Sequence, residues 1–109
     1  GDMAILLEIL ARHEAVDEYS SRAMVELLSR QQINNRLPAR LPPDTRVAHK
    51  TGDWEDATHD VGIVYAPTGV YVIALLSRYP WDIATLAELS EVVYEYFESE
   101  RSLAGRRFP

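Results

Sequence analysis

The sequence predicts an α+β fold in which a three-stranded antiparallel meander packs against helices. Two observations lead to this fold class. Three segments between residues 46 and 78 are rich in β-branched and aromatic residues and are separated by short links that contain glycine or proline. The segments before and after them carry apolar residues at helical spacing. With 109 residues, of which 47% are hydrophobic, the chain can bury a core of its own.

Two helices are predicted ahead of the meander, over about residues 2–13 and 18–32. Asp2 is the expected N-cap or first-turn acid of the first helix, and residues 17–21 offer capping oxygens for the second. Apolar residues at helical spacing give each helix one predicted buried face. These residues are Met3, Ile5, Leu6, Ile9 and Leu10 in the first helix and Met24, Leu27 and Leu28 in the second.

An ordered connector is predicted over residues 33–45, because its three prolines and two asparagines exclude a regular element. Pro67 to Gly69 predict a tight hairpin between the last two strands. The third strand is apolar at every position from Val70 to Leu76, which predicts that both of its faces are covered. The predicted strands span about residues 46–52, 59–66 and 70–78.

A long helix is predicted after the meander, over about residues 82–100. Residues 80–81 end the sheet, and Asp82 is the expected cap of the helix. Its glutamates are expected on a solvated side, and the arginines between residues 101 and 107 are expected in a frayed tail. The predicted apolar stripe consists of Ile83, Leu86, Ala87, Leu89, Val93, Tyr96 and Phe97.

The bulk composition limits the classes of partner. A formal net charge of −6 argues against a surface for nucleic acid or anionic membrane. The absence of cysteine excludes disulfides and zinc sites built on thiolates. No apolar run is long enough to span a bilayer, and no signal-peptide pattern opens the chain. The opening Gly1-Asp2-Met3 has no initiator methionine, which suggests a chain cut from a longer protein.

Lys50 is the most informative single residue, because it is the only lysine among eleven basic residues. Its ammonium is a compact charge on a flexible stem, unlike the flat fork of arginine. Thr51 adds a hydroxyl beside that charge, and Gly52 lets a ligand approach the backbone. The pattern therefore indicates an anion-binding strand end. The alternative interpretation is a surface lysine followed by a turn glycine.

Other candidate sites are weaker. A metal site could be proposed from His49, His59 and Asp60, because the two histidines flank a turn and could approach each other across a hairpin. The three residues lack the ligand spacing typical of zinc, so no metal or cofactor is predicted. No serine lies on a sharp strand-to-helix turn of the kind that activates a nucleophile. Trp54 is expected in a loop beside Lys50, where it either packs on the hairpin or walls a ligand pocket.

Several segments, in order, resemble the C-terminal part of class A serine β-lactamases. The segments are Val47-Ala48-His49-Lys50-Thr51-Gly52, then His59-Asp60-Val61-Gly62-Ile63-Val64-Tyr65-Ala66-Pro67, then Val72-Ile73-Ala74-Leu75-Leu76-Ser77. The upstream run from Arg30 to Pro38 is similar to the helix end and loop that precede the first of these strands in the same enzymes. The resemblance covers the chain from about Asp2 to at least Ser77.

This resemblance implies a role for each residue of the Lys-Thr-Gly strand. Lys50 would supply positive charge near the substrate carboxylate and the catalytic hydroxyls, and Thr51 would hydrogen-bond that carboxylate. Gly52 would let the strand lie flush against the β-lactam. The backbone N–H of Asp53 would correspond to one of the two oxyanion-hole donors, each typically worth about 3–4 kcal/mol. The resemblance also implies a periplasmic or secreted protein.

The chain departs from the family in what it lacks. With one lysine it contains no Ser-x-x-Lys motif, and with asparagine only at positions 34 and 35 it contains no Ser-Asp-Asn motif. No catalytic residue is therefore predicted within this chain, which is expected to be an inactive C-terminal segment. Residues 58–60 lack the arginine that many relatives carry there. Asp53 places a carboxylate where relatives usually carry a small neutral residue, so an unusual substrate preference is expected.

Two further expectations follow. In the family, N-terminal strands extend this sheet and a helical region closes the cleft, so the chain alone is expected to expose an edge and to form a homo-oligomer. Two alternatives to a β-lactamase remain open. One is a non-enzymatic α+β module that binds a ligand or acts as a sensor. The other is a relative of the penicillin-binding transpeptidases, which share the same motifs.

Overall fold

A computed structural model of the protein describes residues 1–78 and 83–107, with side chains described through residue 103. The strands form one antiparallel sheet in the order β1-β2-β3, and helices pack on it, which confirms the predicted α+β class. The elements within the described residues are α1 (Asp2–Ala11), α2 (Glu18–Leu28), β1 (Arg46–Trp54), β2 (Ala57–Ala66), β3 (Gly69–Ser77) and α3 (Ile83–Arg107).

Each face of the sheet has its own hydrophobic core, because successive side chains of a strand point to opposite faces. The connector between α2 and β1, together with α3, covers one face, and α1 with α2 covers the other. Lys50 therefore lies on the α1/α2 face, whereas Thr51 lies on the connector face. The buried residues are Leu37, Leu41, Val47, Val64, Tyr71, Ile73, Leu75 and Leu86 in the first core, and Leu7, Leu10, Val25, Ala48 and Ile63 in the second.

The predicted buried faces of the first two helices are wrong in part. In α1 the buried residues are Leu7 and Leu10, and in α2 they are Ser21 and Val25. Helix α1 is apolar around most of its circumference, so spacing alone could not select the side that meets the sheet. The predicted residues that the structure leaves exposed are Met3, Ile5, Leu6, Ile9, Met24 and Leu27.

The two helices also end earlier than expected, at Ala11 and Leu28. Gly1 is the N-cap of α1, so Asp2 is its first-turn acid. Asp17 caps α2, and its carboxylate accepts the Ser20 N–H at 2.6 Å.

Cover on both faces of β3 was predicted, and this is wrong for one face, on which Val70, Ala74 and Leu76 are exposed. Tyr71, Ile73 and Leu75 are buried on the face covered by α3. On the other face only Val72 packs against the second core, while Val70 is exposed and Leu76 is 64% exposed. Helix α1 is too short to cover this face along its whole length, since ten residues span about 15 Å.

The first hairpin is tighter than predicted. Strand β1 continues to Trp54 and β2 begins at Ala57, so Glu55 and Asp56 alone form the turn. Asp53 is therefore a strand residue rather than part of a loop. Trp54 was also expected in a loop, and the structure corrects this: it pairs with Ala57. Because the turn has only two residues, both strands continue up to it, and the ladder is longer than predicted.

Helix α3 runs beyond the predicted end at about residue 100. Arg101 belongs to it, donates a hydrogen bond to the Val70 carbonyl at 3.0 Å and lies over the Phe97 ring. The expectation of a frayed tail is therefore wrong for this arginine. The predicted cap Asp82, with residues 80–81, lies outside the described residues. Of the helices that the structure describes, none combines the length and apolar character needed to cross a membrane.

The apolar stripe predicted for α3 is only partly buried. Leu86 and Ala87 are buried, whereas Leu89 and Tyr96 are exposed. The glutamates on the other side are not all free in solvent, because Glu91 pairs with Arg40 at 3.0 Å. The contact of the helix with the sheet is therefore narrower than its apolar composition suggests.

Candidate functional site

Lys50 and Thr51 lie on β1, which is an edge strand of the described sheet. The Lys50 side chain is exposed, and its Nζ donates to the Thr51 carbonyl at 2.6 Å. Thr51 is buried and pairs with Asp60 of β2. An edge strand presents unpaired backbone N–H and C=O groups that can bind an extended ligand. The strand thus combines an exposed cation, bound to its own Thr51 carbonyl, with a row of backbone hydrogen-bonding groups.

Gly52 and Trp54 follow on the same strand. A Cβ added at Gly52 would touch only the His59 side chain, at 3.9 Å, which is an ordinary contact. The fold itself therefore has no steric need for glycine here. Trp54 is 75% exposed, so core packing does not explain it. Both features leave room for a ligand along this end of β1.

Arg36 brings a second cation to the end of β1, and sequence reasoning missed it. Its side chain is 5% exposed, and its Nη2 lies 2.8 Å from the Asp53 carboxylate. Nη1 donates to the His59 carbonyl at 3.1 Å. Within the described part of the chain, the buried Nε has no hydrogen-bond partner. No local signal marked it, because an arginine in a segment rich in asparagine and proline predicts an exposed side chain.

His49 and Asp60 form a buried pair behind the Lys-Thr-Gly strand. His49 Nδ1 lies 2.9 and 3.1 Å from the two carboxylate oxygens of Asp60. Its Nε2 lies 2.9 Å from Oδ1 of Asn34 in the connector. The third member of the metal candidate, His59, instead accepts the Ser77 N–H through Nδ1 at 3.1 Å. Across residues 1–78 and 83–107, no three histidine or carboxylate groups converge as metal ligands would.

The sequence matches a model of the beta-lactamase enzyme family over residues 1–97. A comparison with curated proteins found no significant match. This match to most of the chain agrees with the resemblance carried by the Lys-Thr-Gly strand and its neighbours.

Solved structures with the same fold include PBP-A and two β-lactamases. A mutant of PBP-A, as an acyl-enzyme complex with penicillin G, is 30% identical with a TM-score of 0.82 over 90% of this chain. The TLA-3 extended-spectrum β-lactamase is 27% identical with a TM-score of 0.81 over 87% of it. A β-lactamase from Sphaerobacter thermophilus, 24% identical, shares the fold over 94% of it with a TM-score of 0.75. The chain spans 39–40% of the length of these three structures.

Proposed function

Because the chain belongs to the beta-lactamase enzyme family, we propose that it is the C-terminal part of a class A-like enzyme that opens β-lactam rings through a serine acyl-enzyme. The observation that carries the proposal is the position of Lys50 and Thr51 on an edge strand whose outer backbone groups are unpaired in the described sheet. A flat, carboxylate-bearing ligand can lie along such an edge and bind the backbone and the cation together.

Each residue of the strand has a distinct role in this proposal. The Lys50 ammonium attracts the carboxylate of the β-lactam, and the Thr51 hydroxyl donates a hydrogen bond to it. Gly52 lets the ligand lie against the backbone, which explains a glycine that the fold does not need. The Asp53 N–H donates to the oxyanion that develops during acylation. The exposed ring of Trp54 lies at the end of β1, where it would contact one side of the bound ligand.

Arg36 adds positive charge near the same strand end. It lies within hydrogen-bond reach of Asp53, at the position where Asp53 would face a bound carboxylate. Because the Arg36 side chain is 5% exposed and Asp53 occupies its guanidinium, a ligand carboxylate would reach this cation only by displacing Asp53, an anion of the same geometry. Arg36 therefore supplies the second cation that residues 58–60 do not, and Asp53 selects against ligands that cannot displace it.

The chain by itself is proposed to be inactive, because no catalytic serine motif lies within it. Incubation of the 109-residue chain with a chromogenic cephalosporin should give the same rate as a heat-denatured sample. Turnover above that control would refute the proposal. The matching genetic observation is a longer reading frame with a Ser-x-x-Lys motif and a Ser-Asp-Asn motif upstream of Asp2. A start codon at Met3 would favour a non-enzymatic module instead.

A second candidate is a penicillin-binding relative of the transpeptidases. It is favoured by the similarity to PBP-A, whose mutant was solved as an acyl-enzyme complex with penicillin G. The two functions differ in the fate of the acyl-enzyme. A full-length protein that hydrolyses labelled penicillin over many turnovers supports a β-lactamase. A protein that accumulates one stable covalent adduct per molecule supports the penicillin-binding alternative.

The isolated chain is also proposed to form a homodimer or a swapped assembly. Large apolar side chains such as Ile5, Leu6 and Leu27 are exposed on α1 and α2, and β3 forms the second edge of the described sheet. Sedimentation at micromolar concentration should show a species larger than the 12.4 kDa chain. Leu27→Glu should shift it toward monomer, whereas Val92→Glu on α3 should not. A wild-type monomer would contradict the proposal.

The family also suggests a periplasmic or secreted location for the whole protein. Fractionation of cells that express the full-length gene would test this, with activity expected outside the cytoplasm.

A further inference from the structure

His49 and Asp60 are a buried pair of titratable groups that the proposed ligand contacts do not use. Both side chains are almost fully buried on the connector face of the sheet. Asn34 completes the cluster from the connector, at the other side of the imidazole ring. His49 lies on the strand that carries Lys50. Its contact with Asp60 joins that strand to β2, and its contact with Asn34 joins it to the connector.

The orientation of the Asn34 amide is fixed by its second contact. Its Nδ2 donates to the Gln31 carbonyl at 3.0 Å, so the atom that faces His49 Nε2 at 2.9 Å is the oxygen Oδ1. An amide oxygen only accepts hydrogen bonds. Nε2 of His49 must therefore carry a hydrogen.

Nδ1 of His49 also faces acceptors. The two oxygens of Asp60 lie 2.9 and 3.1 Å from it, and Oδ2 accepts the backbone N–H of Leu37 at 3.0 Å as well. Hydrogen bonds of this kind stabilise the ionised carboxylate, which is an acceptor only. This contact favours the carboxylate over a protonated acid that would donate to Nδ1, and on this ground the proton between the two groups is assigned to Nδ1.

We propose that His49 is held as an imidazolium between Asp60 and Asn34, and that it acts as a positioning residue that latches the connector to the strand carrying Lys50 and Thr51. Loss of a proton from Nε2 would leave its lone pair facing the Asn34 oxygen. The Asn34 side chain would then have to turn, and its hydrogen bond to Gln31 would break. The latch is thus present only while both ring nitrogens carry hydrogen.

The charges around the ring agree with a cation in this position. Asp60 contributes the adjacent anion from β2. Arg36, in the connector, directs its guanidinium at Asp53, and the carboxylate of Asp53 neutralises the positive charge of Arg36. On the same face, Glu91 of α3 is bound by Arg40 at the surface. Lys50 lies on the opposite face of β1, and its ammonium binds the Thr51 carbonyl.

His59 provides a contrast within the same chain. Its Nδ1 accepts the Ser77 N–H at 3.1 Å, so this nitrogen must carry a lone pair. This contact thus needs a lone pair on Nδ1 of His59, whereas the proposal places a hydrogen on both ring nitrogens of His49. The proposal therefore predicts that, at one pH, both ring nitrogens of His49 carry hydrogen while Nδ1 of His59 does not.

Nitrogen NMR of the imidazole rings tests the proposal without any β-lactam, so its outcome is independent of the proposed function. The uniformly ¹⁵N-labelled chain is measured across about pH 5 to 8, where an unperturbed histidine titrates. Both His49 nitrogens should keep shifts of the protonated type when Nδ1 of His59 already has a shift of the unprotonated type. An unprotonated shift for either His49 nitrogen under those conditions would overturn the proposal.

Two variants of one residue test the latch. Asn34→Asp places a carboxylate at Nε2 and should widen the pH range over which His49 is doubly protonated, whereas the similarly sized Asn34→Leu should narrow it. Equal effects would refute a latch through Asn34. In the wild-type chain, the Asn34 side-chain amide resonances should move with the titration of His49, while those of Asn35 stay in place. Asn34 resonances that stay in place during the titration would refute the positioning role. Any consequence of this role for β-lactam binding rests on the proposed function.

Discussion

The carboxylate of Asp53, which is 56% exposed, lies 2.8 Å from the Nη2 of Arg36, which is 5% exposed. An exposed anion thus neutralises a buried cation at the end of β1. Water and ligands can reach the anion but not most of the cation. The pair can therefore be opened from the solvent side.

Removal of Asp53 should destabilise the fold by leaving this guanidinium without its anion. Asp53→Ala is expected to lower the free energy of unfolding by about 1–2 kcal/mol, toward the lower end for hydrogen bonds to charged groups because Asp53 is 56% exposed. Urea denaturation with a constant m-value measures the change. Glu100→Ala removes an exposed carboxylate from α3 and should change stability by less than about 0.5 kcal/mol. Equal losses for the two variants would show that the Arg36 contact contributes nothing.

Gly62 is required by the close approach of β1. A Cβ at this position would lie 2.7 Å from the Ala48 carbonyl oxygen and 2.8 Å from the His49 Cβ. Both neighbours belong to buried strand residues that cannot move aside without disturbing the ladder. Gly62→Ala is therefore expected to destabilise the fold by about 1–3 kcal/mol, the usual cost of overpacking, as measured by urea denaturation.

Gly52→Ala is the matched control for that variant. Its Cβ would meet only His59, at 3.9 Å, so its effect on unfolding should stay below about 1 kcal/mol. A loss as large as that of Gly62→Ala would mean that Gly52 also has a structural role. An unchanged free energy of unfolding for Gly52→Ala agrees with a glycine whose role is to let a ligand approach the backbone.

The strands and the connector were predictable from sequence because their signals are local. Proline content excluded a helix over the connector, and β-branched residues marked β3. The pairing of His49 with Asp60 was not predictable, because it depends on the register of the first hairpin. That register is set by a turn at Glu55-Asp56, a dipeptide without the glycine or asparagine that usually marks a two-residue turn.

Arg36 was missed for a related reason. A basic residue in a segment rich in proline and asparagine predicts exposure, because burying a cation is costly. Here Asp53 lies 17 residues further along the chain and offsets that cost through a contact that only the folded register creates. The buried faces of α1 and α2 likewise depend on which side meets the sheet, and helical spacing alone does not specify that side.

Tyr71 has a buried hydroxyl that forms no hydrogen bond with any described residue. Its ring stacks on Phe97 with centroids 4.6 Å apart. Tyr71→Phe keeps this stack and removes an unsatisfied polar group. The variant is expected to raise the free energy of unfolding at neutral pH by about 1 kcal/mol, as measured in urea. Tyr19→Phe, at an exposed position, should leave it unchanged. A destabilised Tyr71→Phe protein would indicate that the hydroxyl has a partner.

The same tyrosine should make the protein sensitive to alkali. Burial raises the pKa of Tyr71 to about 12 in the folded state, against about 10 in the unfolded chain. Between these values the unfolded chain has released the proton and the folded protein still holds it. The unfolded state then binds fewer protons, so stability falls as pH rises from about 10 to about 12. Urea midpoints for wild type and Tyr71→Phe should diverge over this range. A constant difference between the two urea midpoints over this pH range would contradict the raised pKa of Tyr71.

Val16 has a left-handed backbone conformation, with a φ of 64°, in the loop between α1 and α2. This conformation is unfavourable for a β-branched residue. The loop is held by Ser21, whose hydroxyl donates to the Ala15 carbonyl at 2.8 Å and accepts the Ala15 N–H at 2.9 Å. Asp17 then caps α2 directly after the strained residue. These contacts fix the loop on both sides of Val16, so the strain is not relieved.

Val16→Asn should stabilise the fold, because asparagine tolerates the left-handed region and the valine side chain, 86% exposed, has little packing to lose. The free energy of unfolding is expected to rise by about 0.5–1 kcal/mol, measured by urea or thermal denaturation. Val92→Asn is the control. Val92 is exposed on α3, where valine and asparagine have similar helix propensities, so this change should stay within about 0.5 kcal/mol. A Val16→Asn protein no more stable than wild type would mean that the loop relaxes to another backbone conformation in solution.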